Sequence, residues 1–164
     1  MHIVISDAGP LIALSRIHHL GLLEQLYGQV TVTDVVRDEL LNAGAAAFDG
    51  QAQLQAALRQ WVRVEKSTPG LKLQALNPNV DAGELSSIAL CMRLPDSLLI
   101  VDDKAARLEA QARGLRFIGL LGVLLQAKQR GLLSSLAPVL QDLVGSGYFI
   151  SGALLLQVLN IAGE

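Results

Sequence analysis

Five short apolar runs, separated by amphipathic stretches of helical length, constrain this chain more than any other feature. The runs are Ile3-Val4-Ile5, Val30-Thr31-Val32, Trp61 to Glu65, Leu98-Leu99-Ile100-Val101 and Arg116-Phe117-Ile118. After the first run, Pro10 stands at the start of a predicted helix whose Leu11, Leu14, Ile17 and Leu20 share one face. Thr33 is placed to cap a second helix that reaches about Asn42 and stops before Gly44. Further helices are predicted at Gln51–Gln60, at Ala82–Met92, from Asp103 to Gly114, around Leu120–Arg130 and around Ser135–Val144. The least regular third runs from Ala43 to Val80, with a loop containing Pro69, Gly70, Asn77 and Pro78. Leu98 to Val101 is apolar at successive positions, as a strand covered on both faces must be. Strands alternating with helices predict an α/β fold, a three-layer α/β/α sandwich on a mostly parallel sheet of about five strands.

The 164 residues suit one domain spanning 1–164. Half of them are hydrophobic but only 4% aromatic, so aliphatic side chains must fill the interior. A net charge of −2 lacks the basic footprint of a sequence-reading DNA binder. It is compatible with a nuclease, because a bound divalent ion can supply the positive charge that a phosphate needs. The single cysteine, Cys91, forms no internal disulfide and suits a reducing, cytoplasmic setting. The N-terminus enters a strand within three residues and lacks a signal-peptide layout. Leu143 to Gly163 is uncharged and long enough to span a bilayer. Ser146, Ser151, Gln157, Asn160 and four glycines interrupt it, so the expectation is no membrane span but a C-terminal element docked on the sheet or on a partner.

Only 15 residues are acidic, which makes their placement informative. Asp7 and the pair Asp102-Asp103 directly follow apolar strands, and the carboxyl ends of parallel strands are where ligand sites assemble. Glu39 falls between Val35, Val36 and Leu40 on an apolar helical stripe, where an unpaired carboxylate is costly to bury. Asp81-Ala82-Gly83-Glu84 opens a helix with the spacing of a capping box, and Glu84 shares a side with Ile88 and Cys91. Each acid has a plain alternative: Asp7 and Asp103 as helix caps, Asp81 and Glu84 as a capping box, Glu39 escaping to water. Taken together, they predict a hard oxygen-ligand site suited to Mg²⁺ or Mn²⁺ rather than zinc. The chemistry that follows is phosphodiester hydrolysis, and crowded carboxylates there should include at least one with a raised pKa. His18 and His19 diverge by about 100° on a helix and read as surface, Cys91 reads as a buried thiol, and Trp61 as packing beside the middle helix. Lys104, Arg107 and Arg113 follow the acidic edge, either near a phosphate or as a solvated helix face.

The sequence resembles the PIN-domain family (PilT N-terminus), most closely its VapC-like toxin branch. The likeness rests on Val4-Ile5-Ser6-Asp7-Ala8-Gly9-Pro10-Leu11, Val36-Arg37-Asp38-Glu39-Leu40, Asp81-Ala82-Gly83-Glu84, Leu99-Ile100-Val101-Asp102-Asp103-Lys104 and Gly119-Leu120-Leu121-Gly122. The resemblance implies a PIN-like fold, a divalent-metal ribonuclease and a toxin held in check by a small antitoxin protein. By position it implies Asp7, Glu39, Glu84 and Asp103 as catalytic acids. Asp7, Glu84, Asp102 and Asp103 would be the metal ligands, with Asp81 and Ser6 in reserve. Gly9 departs from the family, which often has Ser or Thr two residues after the first acid. That departure keeps a non-catalytic PIN-like binding module in view. A phospho-acceptor receiver domain is a weaker alternative, since Asp7 stands alone after the first strand and Gly119 rather than Lys follows the last. The uncharged, Leu-rich C-terminus and the helices near Leu20 point to a homodimer.

Overall fold

A computed structural model describes residues 2–42, 49–67 and 73–164 of the chain. Strand β1 (Val4–Ser6) leads into α1 (Ala8–Arg16) and α2 (Gly21–Tyr27), then β2 (Val30–Thr33), α3 (Asp34–Asn42), α4 (Gln51–Gln60) and β3 (Val62–Glu65). After these come α5 (Ala82–Arg93), β4 (Leu98–Ile100), α6 (Lys104–Ala112), β5 (Arg116–Ile118), α7 (Leu120–Gln129), α8 (Ala137–Gly145) and α9 (Gly152–Ala162).

The five strands form one sheet in the order β3-β2-β1-β4-β5, and every pair is parallel. Parallel neighbours need long crossovers, which the helices supply. Register is set by side-chain alternation. Ile5, level with Leu99, joins Ile88, Cys91, Val101, Ala106 and Ala110 under α5 and α6. Val4, Val30, Val32, Val62 and Ile100 face the other way, into a larger core closed by α1 to α4 and α7 to α9. The expected three-layer α/β/α sandwich is present, with the sheet wholly parallel.

Most departures from expectation lie at element ends. Ile3 stays 43% exposed outside β1, and Trp61 ends α4 instead of starting β3. Leu11, Leu14, Ile17 and Leu20 are all buried, but only the first two lie in α1; Ile17 caps its end and Leu20 stands just before α2. The break comes at His18, whose φ of 59° lies in the left-handed region and turns the chain out of α1. There its Nε2 meets Asp49 at 3.0 Å. Thr33 caps α3 as expected, its Oγ1 accepting from the Val36 N–H at 3.1 Å. The readings at Gly44, Pro69 and Gly70 lie outside the described residues. Among the described residues no helix is long and apolar enough to cross a membrane. Instead, α9 packs against α7 and buries Val158 in the larger core, while Leu156 and Ile161 remain exposed.

Candidate active site at the carboxyl edge of the sheet

From β1 the chain winds outward to β2 and β3, then crosses back to place β4 on the other side of β1. The connections leaving β1 and β4 therefore diverge, α1 to the larger core and α6 to the smaller. The space beyond the carboxyl ends of these two strands is the usual ligand position in such sheets. Asp7 and Asp102-Asp103 flank it. The Asp7 N–H donates to the Ile100 carbonyl at 3.0 Å, which ties the first acid to the neighbouring strand.

Asp7 is only 8% exposed, and its side chain makes no capping bond to α1. Its Oδ1 is buried without a hydrogen-bond partner among the described residues. Burial pushes its pKa up to about 6, with repulsion from Asp81 and Glu39 adding to this and the Ala8 and Gly9 N–H groups opposing it. A buried, unpaired carboxylate oxygen is expensive unless something cationic compensates it.

The Asp81–Glu84 segment serves both readings offered by its sequence. The capping box is complete: Asp81 Oδ1 accepts from the Glu84 N–H at 2.8 Å, and Glu84 Oε2 accepts from the Asp81 N–H at 2.9 Å. Glu84 is nevertheless only 6% exposed. Burial raises its pKa to about 7, and Asp81, Asp7 and Asp103 repel its charge. Glu39 is half-buried and reaches the same segment from α3. Burial and then Asp81 raise its pKa, while the Gly83 N–H favours its ionised form. Gly83 makes that approach possible, since a Cβ there would stand 2.7 Å from the Glu39 Cδ.

The two adjacent aspartates divide their work. Asp103 is exposed and caps α6, its Oδ1 accepting from the Ala106 N–H at 3.0 Å. Asp102 is more enclosed, and its Oδ1 accepts from the Leu120 N–H at 2.7 Å. It thereby satisfies the start of α7, where Gly119 has no side chain to do so. Burial raises its pKa, against the Leu120 N–H, the Tyr148 hydroxyl and the Arg107 guanidinium.

Repulsion links Asp7 to Glu39, Asp81 and Glu84, and Glu84 in turn to Asp81 and Asp103. Asp102 stands beside Asp103 just past β4. The donor chemistry, all carboxylate oxygen with one oxygen left without a donor, fits a hard divalent cation. As placed, the acids are not drawn in: no three His, Cys, Asp or Glu side chains among the described residues stand close enough to share an ion. Glu84 and Asp103 each spend one carboxylate oxygen on a backbone N–H group.

Ser6 is fully buried and donates to the Asp7 carbonyl at 2.9 Å, so its hydroxyl supports the backbone. Arg113 is committed elsewhere, paired with Glu109 at 2.7 Å and bonded to the Gln74 carbonyl. Arg107 stays beside Asp102, its guanidinium 5.5 Å from the Phe117 ring centre. Sequence reasoning missed Tyr148 and the dependence of Glu39 on Gly83. The glycine between Asp81 and Glu84 was the one available signal for the latter.

A family model for the PIN domain matches residues 3–164. No curated protein matches the chain. PIN domains are generally metal-dependent nucleases, and acids gathered at the carboxyl edge of a parallel sheet are what such chemistry requires. With nearly its whole length matched, this chain belongs to the PIN-domain family.

Proposed function

We propose that the chain is a divalent-metal-dependent endoribonuclease, acting as a single domain and serving as the toxin of a toxin–antitoxin pair in the cytoplasm. The observation that carries this reading is Asp7: a buried carboxylate with an unpartnered oxygen, set between β1 and β4 and repelled by neighbouring acids. Asp7, Glu84 and Asp103 would hold Mg²⁺ or Mn²⁺, with Asp102 adjoining and Asp81 in reserve. Glu39, held against Gly83, adds negative charge at the rim of the site. A bound ion would polarise a phosphoryl oxygen and lower the pKa of a water molecule.

The chain's own part is to bury Asp7 and Glu84 and to release the proton that burial keeps on Glu84 near neutral pH. The test is cleavage of mixed single-stranded RNA and DNA with Mn²⁺, beside Asp7→Asn. RNA cleavage lost in the variant supports the reading, whereas full activity in the variant removes Asp7 from the mechanism.

A non-catalytic PIN module is the second reading, favoured by Gly9, which brings no hydroxyl toward Asp7, and by the capped state of Glu84 and Asp103. Calorimetric titration separates the two, since failure to bind millimolar Mn²⁺ favours the module. The proposed protein partners are a small antitoxin and a second copy of the chain. The exposed Leu156 and Ile161 of α9 support the latter, and sedimentation showing only monomer over a wide concentration range would refute it.

A further inference from the structure

Tyr148 is placed by the way α8 ends. Gly147 takes a φ of 98°, in the left-handed region, and its N–H donates to the Val144 carbonyl at 3.1 Å. The Tyr148 N–H donates to the Leu143 carbonyl at 3.0 Å. This pair of bonds is the turn with which helices commonly close on a glycine, and it fixes the direction in which Tyr148 leaves α8. The side chain is half-buried and lines a cavity of about 290 Å³ together with Gly9, Ile12, Ala13 and Asp102. The phenol thus shares one hollow with the residue just past β4 and with the start of α1, two residues beyond Asp7.

Two hydrogen-bond donors and one cation converge on Asp102 from three parts of the chain. The Leu120 N–H donates to its Oδ1 at 2.7 Å. The Tyr148 hydroxyl donates to the same carboxylate, and the Arg107 guanidinium favours its charge. Gly119 admits this arrangement, since a Cβ there would stand 3.2 Å from Asp102 Oδ1 and 3.9 Å from Arg107 Nη1. A single hydrogen bond leaves a carboxylate free to pivot about it, whereas a second from another direction sets its plane. A carboxylate accepts at about four positions, so these bonds orient Asp102 and still leave room for a cation.

We propose that Tyr148 is a positioning residue of the acid site: its hydroxyl holds the Asp102 carboxylate in the orientation in which that carboxylate meets a divalent ion. The segment between α8 and α9 thereby contributes to ion affinity without touching the ion. This rests on the metal-dependent reading above, with Asp102 among the acids that meet the ion. Removing a hydrogen bond that orients a metal-binding side chain typically costs roughly 10–100-fold in affinity.

The experiment is calorimetric titration of Mn²⁺ into the full chain as wild type, Tyr148→Phe, Asp102→Asn and the double variant, with thermal unfolding of each in chelator. Tyr148→Phe keeps the ring and removes only the hydroxyl. It is expected to raise the Mn²⁺ Kd about tenfold or more with little change in Tm, and to add nothing further in the Asp102→Asn background. Phe149→Ala, at the exposed neighbouring residue, should leave the Kd unchanged. A spectroscopic signature goes with this: Mn²⁺ should shift the ultraviolet absorption of the Tyr148 phenol, because an ion at Asp102 draws charge from the bond that the phenol makes. That difference spectrum should be lost in Tyr148→Phe, and a role in folding alone would not produce it. An unchanged Kd in Tyr148→Phe overturns the inference. So does an equal loss in the Asp102→Asn background, since the hydroxyl would then act elsewhere, and so does a loss matched by Phe149→Ala, since packing of the segment would then be the cause. Failure of the wild type to bind Mn²⁺ overturns it together with the metal-dependent reading. Cleavage of single-stranded RNA and DNA, assayed alongside, keeps the two apart: a Tyr148-dependent Mn²⁺ site without cleavage keeps the positioning role and removes the nuclease, and cleavage with an unchanged Kd in Tyr148→Phe does the reverse.

Discussion

Asp7→Asn at neutral pH, with metal chelated, should make the protein more stable, not less. The side chain is 8% exposed and its pKa rises from an ordinary 3.8 to about 6. Above both values this difference corresponds to about 3 kcal/mol against folding, at about 1.4 kcal/mol for each pH unit between them. The sign follows from proton binding. Between pH 3.8 and about 6 the folded state holds a proton that the unfolded chain has released, so stability falls as pH rises through that window. Asparagine keeps the shape and removes the charge, although its amide brings N–H groups to a place where Oδ1 now has no partner. Discounting roughly 1 kcal/mol for that leaves a gain of about 2 kcal/mol at pH 7.5. For a chain of this length that is roughly 4–8 °C in Tm. At pH 4 the difference should vanish or reverse. Thermal unfolding in chelator at both pH values measures it, and added Mn²⁺ should raise the Tm of the wild type but not of the variant. Equal loss of Tm in Asp7→Asn at pH 4 and pH 7.5 would refute the reasoning, because Asp7 would then be stabilising where it stands.

Gly83→Ala should displace the Glu39 carboxylate, whose Cδ would stand 2.7 Å from the new Cβ, at a stability change within about 1 kcal/mol, because the side chain's end can swing away and alanine favours the helix; Mn²⁺ binding, read by calorimetry, should then change to the same degree as in Glu39→Ala. Glu39→Gln should weaken Mn²⁺ binding in calorimetry while leaving metal-free stability unchanged or higher, since burial and Asp81 disfavour its charge. Mn²⁺ binding should release protons near neutrality and weaken as pH falls through 7 and then 6, where Glu84 and Asp7 take up protons; pH-independent affinity from 5.5 to 8 would refute this. Glu109→Ala should destabilise by about 3 kcal/mol or more in chemical unfolding, because it strips a partner from Arg113 and an acceptor from the Leu76 and Asn77 N–H groups.

Much of this architecture is legible in the one-dimensional pattern because its causes are local. Thr33 and Asp81 announce helix starts through bonds that span only three residues. The apolar runs announce strands because successive side chains face two covered sides. Repulsion among the acids was foreseen too, although burial turns out to be the larger cause at Asp7 and Glu84. The break at His18 was hidden, since the apolar spacing of Leu11 to Leu20 continues smoothly across a backbone that leaves the helix there.

What the sequence by itself determined, then, is the succession of strands with most of the helices between them, a mostly parallel sheet, and the set of acids standing just beyond strand ends. Only the tertiary structure decided how the acids divide their labour. Asp102 and Asp103 are equivalent in the sequence, but one turns inward to the α7 N-terminus and the other caps α6. Glu39 meets Gly83 across forty-odd residues, and Tyr148 comes back to Asp102 from near the other end of the chain. The physical reason is that periodicity fixes which way a residue faces on its own element. Which distant group it then meets depends on strand order and helix docking, and these are set by the burial of two cores as a whole.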